Sequence, residues 1–292
     1  MQLLNLTKKQ TLWVFLAVYF FASLIGGLIM LYGLNKNYNM ILVTLISTVS
    51  MTLVVFIFSN IVKNASLYDP YWSVIPIIIV LEWIFIYKNF SLNVILLLVA
   101  ILVWGIRLTY NWWKNWNGFK HQDWRYTKLH DQAPKIYFLT NLMGIHMIPT
   151  LVVYLQLINA HDVIQNNTFN LIFLIGLLIS LSAAVIQFIA DKQMYDFRMN
   201  PNKDKKVIDS GLWKYSRHPN YLGELMFWSG IYLMYFSDKK VIDFHLIYPV
   251  SMIMLFLFIS IPLMEKKLAN RDGYAEYRKT VSMLLPYRKK GN

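Results

Sequence analysis

The sequence contains no cysteine, which excludes disulfide staples, thiolate catalysis and cysteine-based metal sites. Acidic residues are scarce too, with 15 Asp and Glu against 28 Lys and Arg in 292 residues, and charged residues of every kind amount to 15%. So little charge lies outside the ordinary soluble range. The six histidines are scattered and form no His-Glu-x-x-His or similar pair, so nothing in their spacing speaks for metal ligation. Low-complexity tracts, long linkers, internal repeats and a separate soluble domain are all missing from the pattern.

What is present instead is apolar. Hydrophobic residues make up 57% of the chain and the mean hydropathy is +0.43. Apolar stretches near 11–34, 40–62, 72–88, 90–113, 136–158, 168–190, 221–237 and 244–264 each approach the roughly 20 residues a spanning helix requires. The expected fold is therefore all-α, a polytopic membrane bundle of about eight transmembrane helices. Pro76 and Glu82 interrupt the third stretch, and the seventh is short. The first stretch follows MQLLNLTKKQ with no small-residue cleavage site and is expected to be retained as a helix.

Lys and Arg set the expected orientation, because cytoplasmic loops collect them. With the N-terminus inside, 23 of the 28 fall in inner segments, so both termini are expected to be cytoplasmic. The net charge of +13 then reflects topology and attraction to anionic lipid rather than nucleic-acid binding. This charge bias fits a multi-pass protein of a bacterial inner membrane, with its chemistry at the cytoplasmic face.

Polar residues within apolar surroundings mark the candidate site, since ionisable groups in spans are costly. The run GLWKYSRHPNYLGE, Gly211 to Glu224, sets Arg217 and His218 just ahead of Pro219, a residue suited to the first turn of a helix. That helix entrance favours a phosphate or carboxylate, and Glu224 lies one turn beyond Asn220 on the same face. In the sixth span Gln187, Asp191 and Arg198 follow i, i+4, i+11, one stripe if the helix continues beyond the membrane. The stripe can hold a ribose and a phosphate, or Asp191 simply marks the helix exit. A basic loop from Pro201 to Lys206 follows, either a cover for a bound nucleotide or a solvated turn.

Asp69 and Tyr68 sit against Tyr71 and Trp72 in NASLYDPYWSVIP, where Asp69 is a proton donor, a helix N-cap, or both. Arg107 is placed to snorkel or to pair with Asp69 or Glu82. Trp112, Trp113 and Trp116 read as an interfacial belt, and Asp123 with Arg125 as a surface ion pair beside Tyr126. His146 reads as a satisfied core histidine. Glu265 is followed by a short amphipathic helix bearing Tyr274, Tyr277 and Arg278, either a surface anchor or a cover for the Arg217 cluster.

Taken as a set, YDPYWSVIP, RLTYNWW with DWRY, the Gln187–Asp191–Arg198 spacing, GLWKYSRHPNYLGE and the terminal YAEYRKTVSMLLPY resemble the steroid 5α-reductase superfamily. The branch most similar is its bacterial members known as domain of unknown function 1295. The likeness runs from about residue 60 onward, so residues 1–39 read as an added helix and 40–292 as the shared membrane domain. The resemblance implies a seven- or eight-helix fold that binds NADPH from the cytoplasm and reduces a carbon–carbon double bond conjugated to a ketone. It implies that Gln187, Asp191, Arg198, Arg217, His218, Asn220, Tyr221 and Glu224 hold the cofactor and that Asp69, aided by Tyr68, meets the substrate carbonyl. Gln187 stands where the family has an asparagine, and Trp104 lies near its ketone-polarising tyrosine, so a lipid other than a steroid, such as a polyprenoid, is admitted.

A second resemblance, of the Arg-His-Pro entrance to isoprenylcysteine carboxyl methyltransferases, implies S-adenosylmethionine in the same cradle. A noncatalytic lipid-binding membrane protein is the third reading. Lipophilic small molecules and membrane lipids are the expected partners in each.

Overall fold

The computed structural model describes residues 5–200 and 206–287. Residues 201–205 of the basic loop lie outside them. Among the described residues the fold is all-α, without a strand, in keeping with a polytopic helical bundle. Its helices are α1 (Lys8–Asn35), α2 (Met40–Ile61), α3 (Tyr71–Tyr87), α4 (Leu92–Asn115), α5 (Trp124–Gln132), α6 (Pro134–Gln165), α7 (Leu171–Met199), α8 (Pro219–Lys239), α9 (Phe244–Leu268) and α10 (Tyr274–Thr280). A 3₁₀ turn, Ala65–Tyr68, precedes α3.

Among the described residues seven helices are long and apolar enough to cross a membrane: α1, α2, α3 with its 3₁₀ turn, α4, α6, α7 and α9. The seventh expected span, 221–237, forms α8 and is not among them. It has 21 residues, enough length, but Asn220, Glu224, Ser229 and three tyrosines dilute its hydropathy. None of those side chains is exposed, and a helix shielded in this way does not need an apolar surface all round.

Proline shapes two of the spans. In α6 the stretch Asn141–Met147 is wound as a π-helix just ahead of Pro149, and in α9 Phe256–Ser260 is wound the same way just ahead of Pro262. Proline gives no N–H to the preceding turn and crowds its carbonyls, and widening that turn relieves both.

The chain divides into two compact units. One joins residues up to Ile86 to Leu108–Ile158, and the other joins Tyr87–Arg107 to the chain from Asn159 onward. In the first unit Phe15 of α1 packs edge-on against Trp112 and Trp116 and stacks on Phe119, while Trp116 Nε1 donates to Thr11 Oγ1 at 2.9 Å. Buried Trp116 and half-buried Trp112 thus form an aromatic knot with α1 beyond the interfacial belt expected of them.

In the second unit α7 and α8 pack almost backbone to backbone. A Cβ on Gly230 would lie 2.5 Å from the Gly176 carbonyl oxygen, and one on Gly223 would lie 2.3 Å from Gln187 Cγ. Ser180 Oγ donates across the seam to the Phe227 carbonyl at 3.0 Å. Small residues allow this approach in lipid, where close packing and interhelical hydrogen bonds replace the hydrophobic effect.

Candidate functional site

The glycine seam sets the polar groups of the second unit at fixed height. Glu224, on α8, is 3% exposed. Its carboxylate accepts from Trp104 Nε1 at 3.0 and 3.1 Å, from Trp228 Nε1 at 2.9 Å and from Gln187 Nε2 at 2.7 Å. Trp104 stacks on Phe227 and meets Trp228 edge-on, so an aromatic wall closes around the acid. A buried carboxylate persists where donors replace its lost water, and three side chains do so here.

One turn further along α4 and α7 lies a second rung. Arg107 is three residues beyond Trp104, Asp191 is four beyond Gln187, and Arg107 Nη1 meets Asp191 Oδ2 at 2.7 Å. The expected partners Asp69 and Glu82 are therefore replaced by Asp191. Three buried atoms of the two rungs have no protein partner among the described residues: Arg107 Nε, Arg107 Nη2 and Gln187 Oε1. Leaving such atoms unmet costs about 1–3 kcal/mol each, so the cluster is built to receive a polar ligand or pays for its absence. Arg198 stands on the same helix, which does continue to Met199, and is exposed.

The Arg217 cluster has a different character. Arg217 Nε donates to Glu265 Oε1 at 2.9 Å, and His218 Nε2 lies 2.8 Å from the same oxygen. Arg217 Nη1 donates to the carbonyls of Val281 at 2.6 Å and Arg278 at 3.2 Å, and its backbone N–H to that of Ser282 at 3.0 Å. The His218 ring stacks on Tyr221, and Tyr277 Oη donates to the Trp213 carbonyl at 2.6 Å. Burial raises the Tyr277 phenol above its ordinary range, which keeps it a donor. Arg217 and His218 are buried and paired within the protein, so they fasten the α8 entrance to the segment around α10, which covers them. Asn220 contributes its backbone carbonyl, which accepts from Gln187 Nε2 at 3.2 Å.

In the first unit Asp69 and Tyr68 have separate partners. Tyr126 Oη donates to Asp69 Oδ1 at 2.5 Å, while Tyr68 Oη lies 2.8 Å from Thr150 Oγ1, itself 3.2 Å from Thr52 Oγ1. Burial, and then the neighbouring Asp69 carboxylate, raises the Tyr126 phenol, so it stays protonated and donates. Asp123 and Arg125 pair at 2.8 Å as expected, but Tyr126 beside them is turned inward. His146 Nδ1 meets the Asn141 carbonyl at 3.0 Å and its Nε2 has no partner among the described residues, so it is only half satisfied.

Sequence reasoning found Gln187, Asp191 and Glu224 but missed Trp104 and Trp228 as carboxylate donors and Arg107 as the partner of Asp191. The only local signals were the i, i+3 step from Trp104 to Arg107 and the i, i+4 step from Glu224 to Trp228.

Comparison with known proteins places the chain among relatives without an assigned activity. A protein of Schizosaccharomyces pombe (strain 972) described as uncharacterised is 27% identical over 198 residues, 59% of this chain and 57% of that one. The chain thus spans a little over half the length of this curated relative. No solved structure matches it. The family model described as "protein of unknown function (DUF1295)" matches residues 55–281, a range containing Asp69, Arg107, Asp191, Glu224 and Glu265, and the chain belongs to that family.

Proposed function

We propose that the protein is an integral membrane reductase that uses NADPH to reduce a double bond conjugated to a ketone in a lipophilic substrate such as a sterol or polyprenoid. The observation that carries this reading is the pair of rungs on α4, α7 and α8. Two buried guanidinium nitrogens and one buried amide oxygen lack partners there among the described residues, beside two carboxylates. Unused donors of Arg107 suit a phosphate or carbonyl oxygen, and the unused oxygen of Gln187 suits a hydroxyl or carboxamide N–H. These residues fit a dinucleotide in chemistry.

When bound, NADPH supplies the hydride. The chain's own work is to bind, orient and exclude water. Asp191 fixes Arg107 so that its remaining N–H groups keep one direction, and Glu224, locked by Trp104 and Trp228, fixes Gln187 in the same way. Arg198, Asn220 and Tyr221 complete the cofactor roles, while Arg217 and His218 position the α8 entrance through Glu265. The substrate-facing roles fall to Asp69 and Tyr68, with Tyr126 holding Asp69 in place. A hydrogen bond to the carbonyl as enolate charge develops is the electrostatic help this reaction needs.

Thermal melting of purified protein tests the reading. A ligand that binds only the native state contributes roughly 2.7 kcal/mol at 100 times its Kd. NADPH is expected to raise the melting temperature and S-adenosylmethionine to leave it unchanged. The reverse pattern would make the protein a methyltransferase, and a shift with neither would make it a noncatalytic lipid-binding protein.

A further inference from the structure

We propose that the first unit holds a second site, for a phospholipid head group that carries both a phosphate and a hydroxyl donor, in the polar cleft between the end of α2, α5 and the π turn of α6. The cleft has a volume of about 400 Å³, within the range of small-molecule sites. Asn60, Lys63, Thr127, His130, Tyr137 and Asn141 line it. Asn64 and Gln122 brace its wall. Asn64 Nδ2 donates to the carbonyls of Phe119 and His121 at 2.9 Å each, and Gln122 Oε1 accepts from the Ala65 N–H at 3.0 Å.

Two features of the lining look for a ligand. Asn141 is 3% exposed and its Oδ1 has no partner among the described residues. A buried acceptor in that state calls for an O–H or N–H donor from elsewhere. The π winding fixes this residue, since the Asn141 carbonyl is taken by the His146 ring at 3.0 Å. Lys63 at the rim is exposed and makes no ion pair among the described residues. Its backbone is held in the left-handed region, φ +54°, with its N–H bonded to the Asn60 carbonyl at 3.2 Å. A lone cation and a lone acceptor together select a molecule that is anionic at one point and a donor at another. A phosphate ester with a free hydroxyl is both.

The surroundings favour a lipid as its source. Ile61, Ile136, Phe138 and Leu139, chain neighbours of the lining residues, are exposed and apolar, each more than half accessible. They give acyl chains a surface while the head group enters the cleft, as basic pockets at helix ends do for anionic lipids. None of these residues is among those given to cofactor or substrate, so this site and the reductase reading stand or fall separately.

Native mass spectrometry of the detergent-solubilised full chain tests it, with phosphatidylglycerol, phosphatidylcholine of the same acyl chains, and glycerol 3-phosphate as probes. One phosphatidylglycerol is expected to be retained at least about fivefold more tightly than phosphatidylcholine, which has the phosphate but no hydroxyl. Asn141→Leu and Lys63→Gln are each expected to weaken it by about fivefold or more. Lys63→Gln alters only an exposed rim side chain, so its result does not depend on folding of the π turn. Equal retention of the two lipids, or undiminished phosphatidylglycerol binding by both variants, overturns the proposal. Capture of glycerol 3-phosphate with neither lipid retained overturns it in favour of a soluble phosphate ester.

Discussion

Glu224 is the residue on which the second unit is most exposed to failure. Its carboxylate satisfies two indoles and an amide, none of which has water to fall back on. Glu224→Leu would strand the two indole donors at about 1–3 kcal/mol apiece and leave the Gln187 amide only the Asn220 carbonyl, so a large fall in melting temperature is expected, with red-shifted tryptophan fluorescence as Trp104 and Trp228 loosen. Asp69 offers the opposite experiment. Asn at this position keeps an oxygen to accept from Tyr126, so Asp69→Asn is expected to fold normally and to retain the melting shift with NADPH. If the acid supplies the proton-donating contact to the ketone, enone reduction by this variant falls by at least about a hundredfold. Parallel loss of cofactor binding would refute that division of roles.

Among the elements, the α7–α8 pair sets the geometry of the site. Gly223→Ala places a methyl group 2.3 Å from Gln187 Cγ, and either the helices part or Gln187 leaves Glu224. Overpacking of this kind costs about 1–3 kcal/mol. A methyl group on Gly27 in α1 would meet nothing within 4 Å, so Gly27→Ala is expected to be neutral or to gain up to about 1 kcal/mol of helix propensity. Melting curves of both variants give the contrast. Much of the element level was legible in the sequence. Apolar runs located every long helix, and α7 does run on to Met199, the condition under which Gln187, Asp191 and Arg198 were expected to form one stripe. The partners were not legible, because Arg107 finds Asp191 across 84 residues and Trp104 finds Glu224 across 120. A periodicity shows which face is polar but not which other face it meets. The unpartnered Asn141 was equally hidden, since its position depends on a π turn that Pro149 induces from eight residues away.

For the whole molecule, α8 stands apart from the seven helices that among the described residues are long and apolar enough to cross a membrane, and its crossing can be tested directly. The absence of native cysteine makes a clean measurement possible, because any introduced thiol is the only one to react. Lys214→Cys and Lys240→Cys flank α8 at exposed positions. If it spans, an impermeant maleimide labels the two from opposite faces, and labelling from one face would make it a shielded re-entrant helix. The Arg217 clamp adds a constraint in time. Glu265 and the Val281 carbonyl that grip this guanidinium are translated 48 and 64 residues after it. At about 5–20 residues per second the later of these contacts arrives roughly 3–13 s behind Arg217. Until then a cation destined for burial sits at the mouth of α8 without its counter-charge, so the second unit is locked only once residue 281 has been made, and ribosomes that stall in this interval would leave a protein inserted but unlocked.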